Sequence, residues 1–337
     1  MKYIFGIQSH ITFYVAHRII QLENLNPNDC IMIAGRNYQM PEKYQMTYKN
    51  IWQINYGGGK IGRFFSGFNI YRTINNIKNF DKQIEKYTAG DDYNCYITYC
   101  GDDIANLLVT NKKCKHYFLI EEGLGVYINR NCHTFQSWKY WIYKLFLKPI
   151  FPRLYAIKEN YQYPDYYKFK CFYATSPKAY PYFRDYPIKV IGNPFEVIDL
   201  GFTPDAVLSI DPLFWDINTD TVEIIYQQLS QYIKRKNYHT IVYKFHPMFG
   251  VYPEIRKQYN HIIHKFFGEN IIELKDTAVL ENILTTYKCD FYSAGSSIQI
   301  YGTIAGAKCY SFSSLTRKYT QLYDNTIFQE YAEEIVI

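Results

Sequence analysis

Short apolar runs of strand length, each followed by apolar residues at helical spacing, recur along the whole of this 337-residue chain. The run YIFGI at 3–7 leads into HITFYVAHRIIQLE, and DCIMIAG at 29–35, CYITYCGDDIANLLV at 95–109 and HYFLIEEG at 116–123 repeat the pattern. Strands that alternate with helices form βαβ units, which build a parallel sheet with helices on both faces. Turn-forming residues Pro187, Gly192, Asn193, Pro194, Gly201 and Pro204 then gather between 186 and 205. Beyond them the rhythm resumes in AVLSID at 206–211, HTIVYKFHP at 239–247, CDFYSAGSS at 289–297 and KCYSF at 308–312.

The length suits two domains of about 150 residues each. The expected fold class is therefore α/β, with two Rossmann-like parallel-sheet domains over 1–190 and 191–337 facing a central cleft, the GT-B arrangement. Ligands in such sheets sit beyond the C-terminal ends of the strands. With 48% hydrophobic residues, 37 Tyr and 23 Phe, each half has material for a core, and disorder is excluded. The net charge of +6 comes from dispersed Lys and Arg, with no zinc, helix-turn-helix or RNA-recognition signature, so nucleic acid is not an expected partner. Eight cysteines without CxxC or zinc-ligand spacing predict reduced, buried thiols and no metal. The N-terminal run is broken by Gln8, Ser9 and His10, and no stretch of about 18 apolar residues occurs, so the expectation is a cytoplasmic chain without a membrane span.

Several polar groups fall at strand ends. Glu121 and Glu122, followed by Gly123, close an apolar run; one can act as a general base, or both can be solvated loop acids. His246 and Pro247 follow VYKF, where the imidazole can donate to a phosphate or simply finish a buried strand. Ser293, Gly295, Ser296 and Ser297 lie between a strand and an apolar helix, a turn suited to phosphate and equally to ordinary N-capping. Glu281, near a helix beginning around Thr277, can accept from ribose hydroxyls or face solvent. Asp102 and Asp103 follow Gly101 at a helix start, where acids favour the dipole without any metal.

The order Glu-Glu-Gly, His-Pro, a late Glu and Ser-Ser resembles the bacterial GT-B sialyltransferases, and FGIQSHITFYVAHRII looks like their first β-loop-α unit. The resemblance implies an inverting, metal-independent transfer of sialic acid from CMP-sialic acid, with no cofactor. The acceptor would be a hydroxyl of a cell-surface glycan such as lipopolysaccharide, O-antigen or capsule, in a form that can be lipid-linked. It implies Glu121 or Glu122 as the base, His246 with Ser296 and Ser297 on the cytidine phosphate, Glu281 on the ribose, and Gly123, Pro247 and Gly295 as further substrate-binding positions in the turns. Another cytidine-nucleotide transferase, moving Kdo or a polyol phosphate, and a non-catalytic nucleotide- or glycan-binding protein are the alternatives. Finally, SWKYWIYKLFLKPIFPR at 137–153 interleaves aromatic and basic residues, as a helix at the inner membrane's interface or a buried helix with snorkelling lysines would.

Overall fold

A computed structural model of the chain describes residues 1–35, 38–54, 70–98, 103–127, 145–155, 164, 166–269, 271–320 and 328–336. They form two compact units, Met1–Pro194 and Phe195–Ile337. In the first, strands β1 (Lys2–Ile7), β2 (Cys30–Ala34), β3 (Asn50–Gln53), β4 (Tyr93–Ile97), β5 (Cys114–Ile120), β6 (Phe169–Ala174) and β7 (Ile188–Val190) form one sheet in the order β3-β2-β1-β4-β5-β6-β7. In the second, β8 (Ala206–Ile210), β9 (Ile241–Phe245), β10 (Ile272–Glu273), β11 (Asp290–Ser293), β12 (Cys309–Ser311) and β13 (Glu333–Glu334) run in the order β10-β9-β8-β11-β12-β13. Every pairing is parallel. The α/β class expected from the alternating pattern is what the chain adopts. In both sheets the strand order reverses beside the first strand of the unit, between β1 and β4 and between β8 and β11, and that reversal opens a crevice at the strand ends.

Burial on both faces explains why the strands read as near-continuous apolar runs: all five residues of β2 and of β8 are buried, Ser209 being the one polar residue among them. Side chains alternate between the two faces of β8. Ala206, Leu208 and Ile210 join one core with Ile225, Leu229 and Ile263, while Val207 joins the other with Val242, Ile283 and Leu284. The helix Thr219–Lys234 starts where Asn218 accepts the Thr221 amide, and it buries Val222, Ile225, Tyr226, Leu229 and Ile233 at three- and four-residue spacing. Burial of an aliphatic side chain of this size is worth roughly 1.5–3 kcal/mol.

Two details set the ground for the second unit's strand ends. The helix Ser297–Ala305 packs so tightly that a Cβ on Gly302 would lie 2.9 Å from both Cys309 Sγ and Leu284 Cδ1. The segment 195–200 is extended along the helix Leu280–Tyr287, whose side chains take alternate amides. Glu196 N donates to Asn282 Oδ1 at 3.1 Å, Ile198 N to Thr286 Oγ1 at 2.9 Å and Leu200 N to Tyr287 OH at 2.8 Å.

Candidate functional site

In the second unit the neighbouring strand ends bring the His-Pro and Ser-Ser motifs together. The amide of His246, just after β9, donates to Ile210 O at the end of β8 (3.0 Å). The next residue, Asp211, reaches the loop after β11. Its Oδ2 accepts Ala294 N at 2.6 Å, Gly295 N also donates to the carboxylate, and Ser209 Oγ bonds Oδ1 at 3.2 Å. His246, Asp211 and Ser293–Ser297 thus form one continuous rim across the β8/β11 reversal.

The electrostatics of the rim follow from burial. Asp211 is 3% exposed, and desolvation lifts its carboxyl to about 7 despite the three donors. His246 presents its ring to solvent but stands in dense surroundings; burial and then the Lys244 ammonium hold it below the usual 6.5. It is therefore neutral at pH 7. Because Nδ1 accepts the Met248 amide at 3.2 Å, the proton is on Nε2. His246 also caps the 3-10 turn Pro247–Gly250, so the exposed Pro247 fixes the ring's base.

Ser296 caps the helix Ser297–Ala305, its Oγ accepting Ile298 N at 3.3 Å, and Ser296, Ser297 and Gly295 are all partly exposed. Glu281 is buried in the first turn of Leu280–Tyr287, three residues later than the expected helix start. Burial raises its pKa, with its own amide and the Lys244 charge opposing; burial lowers that of Lys244, whose ammonium donates to Ala278 O. Neutral N–H donors, serine hydroxyls, a helix N-terminus and one half-buried lysine are what an anionic oxygen needs.

In the first unit Glu121 is fully buried at the end of β5. It accepts Thr175 N at 2.5 Å, Thr175 Oγ1 at 3.1 Å and Tyr127 OH at 2.9 Å. Glu122 is half-buried, and Gly123 takes φ 122°, a left-handed backbone that favours glycine. Glu121 does for the loop after β6 what Asp211 does for the loop after β11: each is a buried carboxylate one residue past a strand, pinning the loop of the neighbouring strand. At the reversal between β1 and β4, a small cavity is lined by Gly6, Gln8, Gly35 and Thr98. Gln8 Oε1 is buried there with no hydrogen-bond partner among the described residues. Asp211, Lys244, Thr175 and Gln8 were not singled out from the sequence. For Asp211 a signal existed, because AVLSID ends on an acid as HYFLIEEG does.

The six described cysteines are buried thiols, and among the described residues no three His, Cys, Asp or Glu side chains are grouped to hold a metal. Asp102, YGGGK at 56–60 and 137–144 of the basic aromatic segment lie outside the described residues, as does the side chain of Asp103. No described helix is long and apolar enough to cross a membrane.

No family profile matches the sequence, and no curated protein matches it. Solved structures do match in fold. UDP-GlcNAc 2-epimerase from Methanocaldococcus jannaschii superposes with a TM-score of 0.52 at 13% identity, covering 99% of this chain and 89% of that one. The fold is GT-B. A putative UDP-N-acetylglucosamine 2-epimerase from Listeria monocytogenes gives 0.52 at 10% identity over 100% and 99% of the two chains. The S. aureus MnaA-UDP co-structure gives 0.51 at 12% over 93% and 79%. These GT-B neighbours correct the expected function. Two carry the name UDP-GlcNAc 2-epimerase and the third was determined with UDP, and none is a sialyltransferase by name, so transfer of sialic acid from CMP-sialic acid is overturned, and the two alternatives offered beside it gain no support. The physical reason is the brevity of the motifs. A His-Pro turn after one strand and serines capping the helix after another are short local arrangements at strand ends, and they carry no information about the base of a nucleotide.

Proposed function

We propose that this protein is an enzyme acting on a UDP-sugar, which it holds by the diphosphate at the strand ends of the second unit. The observation that carries the proposal is the continuous rim from His246 through Asp211 to Ser293–Ser297, at the point where the strand order reverses. There the Nε2–H of a neutral His246 donates to one phosphate oxygen, and the hydroxyls of Ser296 and Ser297 take others. Asp211 touches no ligand in this scheme; it holds the amides of Ala294 and Gly295 and so fixes the loop. The uridine choice is supported by the fold neighbours, one determined with UDP and another, from Neisseria meningitidis with a TM-score of 0.50 at 12% identity, with UDP-GlcNAc.

Calorimetric titration of the whole chain with UDP, UDP-GlcNAc and CMP tests this reading. Binding of UDP and UDP-GlcNAc should exceed that of CMP, and His246→Ala should weaken UDP about tenfold or more, the loss of one hydrogen bond to a charged group. NMR of UDP-GlcNAc incubated with the protein then reads chemistry at the sugar. Absence of UDP binding, or binding indifferent to both His246→Ala and Ser296→Ala/Ser297→Ala, would remove the proposal.

A further inference from the structure

The first unit carries a second concave site, at the opposite ends of its strands. A cleft of about 430 Å³, within the range of small-ligand pockets, is lined by Asp81, Lys82, Glu85, Lys112, Lys113 and Arg153. It lies where the helices Ile70–Thr88 and Asp103–Thr110 end and the chain turns into β4 and β5. Its walls carry four cationic side chains against two carboxylates. Asp81 is already committed, binding Arg153 through both oxygens and accepting Asn111 Nδ2 at 3.3 Å. Among the described residues Lys82, Lys112 and Lys113 are in no ion pair, and Asp92, whose carboxylate also feels Lys113, is held by Lys115 at 2.9 Å. Behind the wall, the buried Lys168 ammonium donates to the carbonyls of Val109 and Asn111, adding a further positive charge. His116, on β5, is held below its usual value by burial first and then by the charges of Lys170, Lys115 and Lys168.

Next to this basic cleft the chain exposes apolar side chains. Leu145, Phe146 and Ile150 are 62%, 55% and 49% accessible, with the exposed Lys148 between them, while Leu147 is buried and anchors the segment. Ile150 stands three positions before Arg153 of the cleft wall, a backbone span of at most about 11 Å. Exposed aliphatic and aromatic residues beside unpaired ammonium groups match the two layers of a membrane surface, acyl chains below and phosphate above. A soluble anion would use the lysines and have no need of the apolar neighbours.

We propose that this face binds the surface of a membrane rich in anionic phospholipid, with a lipid phosphate in the cleft beside Lys82, Lys112 and Lys113 and with Leu145, Phe146 and Ile150 in the interface. The site is on the N-terminal ends of β4 and β5, so a membrane there leaves the C-terminal ends of the same strands open. The proposal does not depend on the UDP-sugar reading.

Flotation of the full chain with vesicles of phosphatidylcholine, with and without phosphatidylglycerol, is the test. The wild type should float with the anionic vesicles only, and high salt should release it. Lys112→Gln/Lys113→Gln should lower partitioning about thirtyfold, equivalent to about 1 kcal/mol for each basic residue at an anionic surface. Phe146→Ser/Ile150→Ser should lower it too, with the unfolding midpoint of both double variants unchanged. Titration with glycerol phosphate separates the sources of the anion. Binding of it that ignores Phe146→Ser/Ile150→Ser, without flotation, would assign the cleft to a soluble phosphate compound and overturn the membrane assignment. Equal flotation on both lipids, or flotation indifferent to both double variants, would overturn it as well.

Discussion

Asp211 offers the sharpest test of the rim, because its protonation should be visible in the stability of the second unit. Raising a carboxyl from 3.8 to about 7 on folding amounts to about 4 kcal/mol between its two protonation states. The sign follows from proton counts. Between those two values the folded unit keeps the proton on Asp211 and the unfolded chain has lost it, so unfolding releases a proton and stability falls as pH rises. The slope is about 1.4 kcal/mol per pH unit; it begins near pH 4 and is exhausted above about 7. Asp211→Asn keeps the size of the group and one acceptor oxygen but has nothing to titrate. At the acid end it should be slightly less stable than the wild type, since an amide NH₂ meets donors of the loop. Towards neutral pH it should gain on the wild type by up to about 4 kcal/mol. Urea unfolding of the full chain, read by pulse labelling of amides in β8 and β9, isolates the second unit, and subtracting the two proteins at each pH cancels other titrating groups such as His246 and Glu281. Parallel stability curves would refute the reasoning, because they would mean that the donors from Ala294, Gly295 and Ser209 fully offset desolvation.

Two further outcomes follow from packing and pinning. Gly302→Ala should destabilise the second unit by about 1–3 kcal/mol even though alanine favours a helix, since its methyl meets Cys309 Sγ and Leu284 Cδ1 at 2.9 Å; the unfolding midpoint measures it. Glu121→Gln should cost about 1–3 kcal/mol and raise amide exchange at Thr175, because the amide group cannot accept from Thr175 N, Thr175 Oγ1 and Tyr127 OH together; unchanged exchange at Thr175 would count against a pinning part for Glu121.

The architecture was legible because parallel strands buried on both sides leave a trace that short-range reading detects. CIMIA is apolar at every position and AVLSI at all but Ser209, and the helices between strands carry apolar stripes at their own period. Strand order was less legible, since the reversal between β8 and β11 rests on contacts about 80 residues apart. The same distance hides Asp211. Its meaning comes from the amides of Ala294 and Gly295, which become its neighbours only once the sheet has formed. Glu121 shows the converse: its place at a strand end was readable, but the ring of donors that closes over it was not. The nucleotide was misread because two-residue motifs mark the strand ends of such a sheet and hold no information about which base a nucleotide carries.

The segment 195–200 has a consequence for how this chain can vary in length. Its amides at 196, 198 and 200 are caught by Asn282, Thr286 and Tyr287, so every second residue is a tooth engaged by one face of a helix. An insertion or deletion of one residue inside it would turn the engaged amides outward and the idle ones inward, out of register with Asn282, Thr286 and Tyr287. The entry into the second unit therefore acts as a ruler graduated in pairs of residues. Length changes between the two units should be accommodated before Phe195 or after Leu200, and within the ruler only in steps of two.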